Sequence, residues 1–591
     1  MTKQDNKPQE IDNQYKQNWA YPNPKTTDPA ERRWQRFWEM VPGILTWSTF
    51  IGMFVFSRII PTWVAIFIIA FDTYWILRTV YIASYTVLAY RKMRRWEKIN
   101  WLKRLQELFQ KPNLPQEITK EIKQLKQQWR EEKGKLNKTE QEKLKFKIWE
   151  RKDFLKQVKK IWPQRKLFLP WEKVYHVIML PTAVETAENI RPALRAVLES
   201  NYPREKIIIL LAMEEREDKK KRELKEKTLR QEFGDKFFAF ISTVHKVQKG
   251  EMKCKASNTT YAAKKMKEFL EKKGIPLENV ILSNLDCETR IHPQYLAALT
   301  FAYVTDPKRL RRAYQPLPMY NNNIWETIAP VRIIVTGSSF WHMIKAMRPE
   351  DMVTFSSHSE PFKTIVDIGY WPVNVISEDS LVFWNAYTYF DGDYRVKPIY
   401  LPVSMDAVLG HNYWHTLKNQ YKQKHRWAYG IENLPLLFRA FRHNKKIPFF
   451  TKVHHLGKML IGHYSWATTS FVLALLGWLP LIFGGEAFKE SVLAHNLPFI
   501  TRYLMTIATA GLFVSVFLSL LLLPPKPKHY RRRKYLVMVF QWVLAPFIAP
   551  FLSSIPAIHA QTRLLLGKYM GEFWVTEKPI KKIPKDKDCR K

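Results

Sequence analysis

At 591 residues the chain is longer than one hydrophobic core usually fills, so more than one structural unit is expected. Lys and Arg outnumber Asp and Glu by 95 to 54, which gives a formal net charge of +41. That excess fits contact with nucleic acid, an anionic membrane face or an anionic substrate. The positive charge lies beside apolar runs and in a polar helical stretch, and no nucleic-acid-reading module is visible, so nucleic acid is not expected as a partner. Cys254, Cys287 and Cys589 are too few and too scattered for a disulfide framework, and no CxxC pair indicates structural zinc.

Two apolar runs near the start, Val41–Ser57 and Thr62–Leu88, predict a transmembrane hairpin, because a helix needs about 20 residues to cross the bilayer core. Basic clusters flank the pair on both outer sides, so both ends are expected in the cytoplasm. The clusters are Arg32, Arg33 and Arg36 before the pair and Arg91, Lys92, Arg94 and Arg95 after it.

Three further apolar runs follow near the other end of the chain. Gly462–Phe483 and Leu497–Leu523 predict two more spans, and Tyr535–Leu566 is interrupted by prolines. A single crossing by this last run would place the Lys-rich tail outside, so a broken re-entrant segment is predicted instead.

The cytoplasmic region begins with a segment dense in Lys, Glu, Gln and Leu, residues 91–170. Its few helix breakers predict solvated helical hairpins rather than part of a core. A basic face that docks on anionic headgroups or on a partner is the functional alternative.

From Lys173 the pattern changes to short β-rich runs that alternate with helical ones. This order predicts an α/β fold with a mostly parallel sheet covered by helices. Ligands bind beyond the carboxyl ends of such strands, where Pro181–Glu185, Glu214-Glu215 and Asp286–Glu288 fall. The predicted strands are Val174–Leu180, Lys206–Leu211, Phe237–Val244 and Val280–Leu285, and the predicted helices are Ala187–Glu199 and Ser257–Lys273.

Asp286-Cys287-Glu288 follows a predicted strand and offers two carboxylates one residue apart. Mg²⁺ and Mn²⁺ favour oxygen ligands and complete their shell with substrate phosphates, so a cation site is one interpretation. A helix-capping loop is the other, and the motif alone does not separate them.

Glu378-Asp379 lies where a helix is predicted to begin. One of these carboxylates could cap the helix, or it could act as a general base that removes a proton from an acceptor hydroxyl. Both interpretations stay open at this stage.

The segment from Gln423 to Trp427 lies on a predicted helix beside the membrane region. Arg426 can bind phosphate with two hydrogen bonds, and Trp427 offers a flat face on which a sugar can stack. The alternative is a basic amphipathic helix that rests on lipid headgroups.

In this order the motifs resemble those of the membrane-embedded family 2 glycosyltransferases, the group that includes cellulose and hyaluronan synthases. The likeness covers about residues 173–432. Pro181–Glu185 resembles the first nucleotide loop, Lys255–Asn258 the Gly-Lys-Ala-x-x-x-Asn element, and Asp286-Cys287-Glu288 the D-x-D motif. Ser377-Glu378-Asp379 resembles T-E-D, and Gln423 with Arg426-Trp427 matches Q-x-x-R-W.

The resemblance implies a GT-A fold and inverting sugar transfer from a UDP-sugar or similar donor, with Mg²⁺ or Mn²⁺ as cofactor. It implies a cytoplasmic active site in a multi-pass cell-membrane protein and a growing glycan as acceptor, with coupled export as a further option. The implied roles are catalysis by Asp379 with Glu378; metal binding by Asp286 and Glu288; donor binding by Thr182, Glu185, Glu214, Lys255, Asn258 and Asp286; and acceptor and diphosphate binding by Gln423, Arg426 and Trp427.

Two alternatives remain beside this hypothesis. One is transfer of a single sugar to a lipid carrier, and the other is a non-catalytic membrane scaffold with a degenerate transferase domain. The predicted division of the chain is a polar tail at 1–40, a transmembrane hairpin at 41–90, a charged helical insert at 91–170, a GT-A domain at 171–432, amphipathic interface helices at 433–460, a second transmembrane region at 461–566 and a basic cytoplasmic tail at 567–591.

Overall fold

An eight-stranded sheet with the order β3-β2-β1-β4-β7-β6-β8-β5 forms the centre of the protein, in a computed structural model that describes residues 28–571. The first 27 residues of the predicted polar tail, most of the predicted basic tail and Cys589 lie outside these residues. The strands are β1 Tyr175–Pro181, β2 Ile207–Glu214, β3 Ala239–His245, β4 Val280–Asn284, β5 Arg290–Ile291, β6 Arg312–Met319, β7 His358–Pro361 and β8 Arg395–Ser404.

The first half of the sheet is parallel, as the alternating strand and helix pattern predicts. β1 pairs with β2 and β4, and β2 pairs with β3, all in parallel. β7 runs antiparallel to β4 and β6, whereas β6 and β8 are parallel again. β2 is buried along its whole length, which explains why its Ile- and Leu-rich run does not alternate with polar residues. The predicted α/β fold with a mostly parallel sheet is confirmed.

Helices cover both faces of this sheet and continue into the apolar regions at either end. In chain order they are α1 Pro29–Ile59, α2 Pro61–Trp96, α3 Trp101–Gln110, α4 Leu114–Glu132, α5 Lys138–Ile161, α6 Ala187–Leu198, α7 Lys219–Phe233, α8 Lys255–Lys272, α9 Tyr295–Val304, α10 Ala329–Ala346, α11 Phe362–Asp367, α12 Glu378–Tyr389, α13 Tyr413–Ala428, α14 Asn433–His443, α15 Phe449–Ala474, α16 Leu479–Phe483, α17 Glu486–Lys489, α18 Val492–Leu521, α19 Lys534–Phe540, α20 Ala545–Ala549 and α21 Ile555–Leu565.

The charged insert is helical, but the prediction that it stays outside a core is wrong for its inner face. Trp101, Leu105 and Phe154 are fully buried in the same cluster as the sheet residues. The rings of Trp101 and Phe154 lie 5.6 and 6.3 Å from Phe301 on α9. The apolar stripe at helical spacing decides where these helices pack, and the buried charges Arg104 and Glu107 are paired with residues of α5.

Four helical segments in the described part of the chain are long and apolar enough to cross a membrane: α1, α2, α18 and the broken helix Lys534–Leu565. The predicted span Gly462–Phe483 lies in α15 and α16, a pair bent by 50° at the break between them. The last predicted segment contains a 3-10 turn and a π-helical turn between α19 and α21, and its re-entrant course stays a prediction. Its combined length nevertheless passes the same test as the unbroken helices.

Candidate active site

The loop after β4 presents Asp286 at the carboxyl edge of the sheet. Ser356 Oγ donates a 2.7 Å hydrogen bond to Asp286 Oδ2, and the backbone N–H of Asp286 donates to Ser357 Oγ at 3.2 Å. Ser356 has φ of 48°, in the left-handed region that costs a non-glycine residue about 1–3 kcal/mol. The fold thus holds an unfavourable backbone conformation at the residue whose hydroxyl fixes this carboxylate.

Lys255, at the start of α8, connects the first two predicted motifs. Its Nζ lies 2.8 Å from Asp286 Oδ1 and 3.6 Å from Asp379 Oδ1. Burial would lower the pKa of Lys255, but the charges of Asp286, Asp379 and Glu378 outweigh it and raise that pKa above its ordinary value. Lys255 is therefore a permanent cation between two carboxylates.

Glu378 and Asp379 open α12, but they have different surroundings. The side chain of Asp379 is 24% exposed, and Thr354 Oγ1 donates to its backbone carbonyl at 2.6 Å. Glu378 is only 3% exposed, and burial together with the neighbouring Asp379 charge raises its pKa. Asp379 is thus the carboxylate that a substrate can reach, whereas the environment of Glu378 favours its neutral form.

α13 brings Arg426 to the same carboxylates. Burial lowers the pKa of the Arg426 guanidinium, and the charges of Glu378, Asp286 and Asp379 act in the opposite direction. The Trp427 ring lies 4.5 Å from the Lys424 amine and 5.9 Å from the ring of Tyr320. The predicted helix at this position is confirmed, and one of its ends carries both a cation and an aromatic face.

Gln423 lies on the same helix and is buried, with 8% of its surface exposed. Its Oε1 accepts a hydrogen bond from Gln420 Nε2 at 3.3 Å. The predicted contact of Gln423 with the diphosphate or acceptor stays a prediction.

Thr182, Glu185 and Glu214 form a second group, at the neighbouring ends of β1 and β2. Lys225 Nζ donates to Thr182 Oγ1 at 3.2 Å and to the backbone carbonyl of Glu185 at 3.1 Å. Burial raises the pKa of Glu214 to about 7, although its ion pair with Arg216 opposes that shift. Their position at the carboxyl edge is the one expected for nucleotide contacts in this class of sheet.

Asn258 is fully buried on α8, where it helps to hold the strands in place. Its Nδ2 donates to the carbonyl oxygen of Ala212 on β2 at 2.9 Å, and the backbone N–H of Thr182 donates to the same oxygen at 2.8 Å. These bonds give Asn258 a structural contact, and its predicted contact with the donor stays a prediction.

Comparison with known proteins identifies the family of the segment that contains these residues. Residues 281–554 match the sequence profile of the Glycosyl transferase family group 2. The matched segment is a family 2 glycosyltransferase domain. It spans the Asp286, Asp379 and Arg426 motifs and continues through α15 and α18. Among proteins with curated descriptions, none matches this chain.

Matches among solved structures have low identities and low TM-scores. Mannosyltransferase PcManGT from Pyrobaculum calidifontis, in complex with GDP-Man and Mn²⁺, is 14% identical over 70% of this chain and 95% of its own, with a TM-score of 0.37. S. aureus TarS 1-349, in complex with UDP-GlcNAc, is 11% identical over 67% and 93%, with a TM-score of 0.32. GalNAc-T7, with UDP, GalNAc and Mn²⁺, is 11% identical over 49% and 58%, with a TM-score of 0.31. At these identities and TM-scores, the bound ligands are properties of those proteins and are not carried over to this chain.

The residues of this family 2 domain fit a cation only in part. In the region that the structure describes, no three or more His, Cys, Asp or Glu side chains are grouped so as to hold a metal. Asp286 already contacts Lys255 and Ser356, and Glu288 is buried beside the Cys287 thiol, which lies 3.6 Å from its Oε2. The protein thus offers at most these two carboxylates, and diphosphate oxygens and water would supply the other ligands, as is common for Mg²⁺.

Sequence reasoning missed a carboxylate that holds the loop just before Glu378-Asp379 in the glycosyltransferase domain. Glu432 Oε1 accepts hydrogen bonds from the backbone N–H groups of Ile376 and Ser377, at 3.1 and 2.9 Å, and from Ser377 Oγ at 2.7 Å. Glu432 ends the 3-10 turn that directly follows α13, so it connects this helix to the residue just before Glu378. The only signal in the sequence was its closeness to Arg426-Trp427.

Proposed function

We propose that this chain is a membrane-bound inverting glycosyltransferase. It transfers a sugar from a nucleotide-sugar donor, a UDP-sugar in the first instance, to a growing glycan at the cytoplasmic face. The observation that carries this proposal is the position of Lys255 between Asp286 and Asp379, with the Arg426 guanidinium facing the same carboxylates. Buried cations beside an accessible carboxylate are typical of functional sites, which favours an enzyme over a degenerate scaffold.

In the proposed reaction Asp379 is the general base. Its carboxylate takes the proton from an acceptor hydroxyl as that O–H bond breaks, and the oxygen bonds to the anomeric carbon of the donor sugar. The bond from that carbon to the diphosphate breaks on the opposite side, and its electron pair leaves with the diphosphate. A single displacement of this kind inverts the configuration and needs no covalent enzyme intermediate.

Positive side chains stabilise the charge that develops on the leaving diphosphate. Arg426 can donate two parallel hydrogen bonds to phosphate oxygens, and Lys255 can move from Asp286 toward the donor. A bound divalent cation would add charge stabilisation at the same oxygens, held by Asp286 and Glu288. Trp427 would stack against the acceptor sugar and place its hydroxyl within reach of Asp379.

The test is nucleotide release by full-length protein in detergent against a panel of UDP- and GDP-sugars, with Mg²⁺ or Mn²⁺ and with EDTA. Metal-dependent release with one donor, abolished in Asp379→Asn, supports the proposal and names the sugar. No release with any donor from monodisperse protein, with glycan and lipid acceptors supplied, contradicts it. Product length then separates a polymer from a single sugar added to a lipid.

A further inference from the structure

A row of polar side chains runs from the catalytic edge into the interior of the sheet, beneath Asp379. His358 and Glu360 lie two residues apart on β7, so both point to the same face. In the sheet register His358 is beside Asn284, and Glu360 is beside Leu282, one step deeper. His358 Nδ1 lies 4.0 Å from Asp379 Oδ1, and both β7 side chains are 1% exposed. The row therefore begins at the base and ends at a buried carboxyl group.

Several atoms of this row are buried without a hydrogen-bond partner within residues 28–571. They are both carboxylate oxygens of Glu360, Asp379 Oδ1 and His358 Nε2, together with the hydroxyl of Tyr394, a residue on which the charge of Glu360 acts. Buried polar atoms are almost always paired, with protein groups or with ordered water. Since these atoms make no hydrogen bonds to one another, enclosed water is what would satisfy them.

The chemistry of these atoms shows which one must donate. His358 Nδ1 lies 2.8 Å from the carbonyl oxygen of Ser356, so Nδ1 carries the proton and Nε2 is an acceptor. Asp379 Oδ1 is an acceptor as well. An ionised Glu360 would add two more acceptors and an unpaired buried charge, whereas a protonated Glu360 supplies a donor.

The surroundings of Glu360 favour the protonated form. Burial, followed by the charge of Asp379, raises the pKa of Glu360 to about 8. The titratable groups that face it are Asp379 on α12, His358 on its own strand and Tyr394 just before β8. Burial lowers the pKa of His358, so the imidazole is neutral and gives Glu360 no positive partner.

We propose that Glu360 is a positioning residue for Asp379, and this role rests on the proposed function of Asp379 as the base. Protonated Glu360 donates a hydrogen bond to an enclosed water, which in turn donates to the acceptor pair Asp379 Oδ1 and His358 Nε2. When Glu360 ionises, the donor is lost and a second negative charge lies beside the base. Ionisation of Glu360 therefore stops sugar transfer, although Glu360 lies beneath the active site and does not contact the substrate.

The test is the dependence of kcat and KM on pH, from about pH 6 to about pH 9.5, for nucleotide release by full-length protein. We expect the wild-type kcat to fall as pH rises through about 8. Glu360→Gln keeps a donor and cannot ionise, so it should retain transfer and lose the alkaline fall. Glu360→Leu should lose about tenfold or more in kcat with little change in KM.

Ser359→Ala is the matched control, because Ser359 lies between the two residues but points to the opposite face, where it contacts Ser283 and Tyr295. This variant should keep the alkaline fall. An alkaline fall that persists in Glu360→Gln, or wild-type kcat in Glu360→Leu, would overturn the inference.

A second readout does not depend on catalysis. Because the folded protein holds on Glu360 a proton that the unfolded chain loses near pH 4.5, stability declines as pH rises from there to about 8. The difference in Tm between Glu360→Gln and wild type should grow over that window. If this difference in Tm appears but no wild-type transfer is found with any donor, the proposed function and the positioning role both fail. Such a result would support only the conclusion that Glu360 is a neutral buried carboxyl group. If transfer is found and the difference does not appear, the inference alone fails.

Discussion

The carboxylate of Glu432 accepts hydrogen bonds from both the backbone N–H and the hydroxyl of Ser377, the residue just before Glu378-Asp379. The turn that directly follows the helix carrying Arg426 and Trp427 is thereby joined to the loop that leads into Asp379. Under the proposed function, acceptor binding at Trp427 and the position of Asp379 depend on this one connection, and the first prediction below follows from it.

Glu432→Ala should lower both stability and turnover. The substitution removes the acceptor of three hydrogen bonds, and each group left unpaired costs about 1–3 kcal/mol. Glu432→Gln keeps one acceptor oxygen and should lose less. The measurements are Tm and kcat for the two variants; equal kcat in wild type and Glu432→Ala would contradict the role of this connection.

Asp379→Asn and Glu378→Gln should separate the two neighbouring carboxylates. Loss of a general base lowers the rate by about 10²–10⁴-fold, so Asp379→Asn should show little transfer while donor binding persists. Glu378 is buried with a raised pKa, so its neutral amide counterpart should keep far more activity. The check is kcat together with donor affinity by calorimetry. The reverse ranking of the two variants would assign the base to Glu378.

Lys255→Met should leave two carboxylates facing each other without the cation between them. We expect a loss of about 10²-fold or more in kcat/KM, because the same change removes a positive charge from the diphosphate site. Lys255→Arg keeps the charge and serves as the control, and it should retain more activity than Lys255→Met. Lys265→Met changes an exposed lysine further along the same helix and should have no effect.

Removal of divalent cations should abolish nucleotide release, and Glu288→Ala should raise the metal concentration needed for half-maximal activity. In the part of the chain that the structure describes, no three such side chains are grouped, so under the proposed function Asp286 and Glu288 would each be a large share of the protein's ligands. Titration with Mn²⁺ measures the shift. Asp306→Asn, at an ion pair with Lys397 remote from the motif, is the control and should leave the metal titration unchanged. Full activity in EDTA would show that Lys255 and Arg426 suffice.

Glu214 should make donor binding depend on pH near neutrality. Its folded-state pKa is raised from 4.5 to about 7, so the carboxyl is neutral below that pH and ionised above it. If ionised Glu214 accepts hydrogen bonds from the nucleotide, donor affinity should weaken as pH falls through 7, and Glu214→Gln should remove that dependence. The raised pKa also means that this group's contribution to stability declines as pH rises from about 4.5 to 7. Donor binding measured across this range tests the first statement, and Tm tests the second.

Much of the fold could be predicted because it depends on local pattern. The parallel strands, the ends where Glu214 and Asp286 lie, and the start of α12 at Glu378 all follow from hydrophobic period and from turn residues. The helix that carries Arg426 is also predicted from its local sequence pattern.

The rest depends on contacts between distant parts of the chain. Nothing near Lys255 in the sequence indicates that its amine reaches Asp286 and Asp379, and Glu360 looks like an ordinary strand carboxylate until its burial is known. The prediction that the insert at 91–170 stays outside the core is wrong for another reason. Its charged residues outnumber the apolar stripe formed by Trp101, Leu105 and Leu108, although that stripe decides the packing.

The shared core of the insert and the sheet sets an order of events during synthesis. Trp101 and Phe154 leave the ribosome well before Phe301, the ring on which both of them pack. At 5–20 residues per second the roughly 200 residues from Trp101 to Phe301 take about 10–40 s to make. During that time the apolar stripe of the nascent chain lacks the aromatic ring on which it packs in the folded protein.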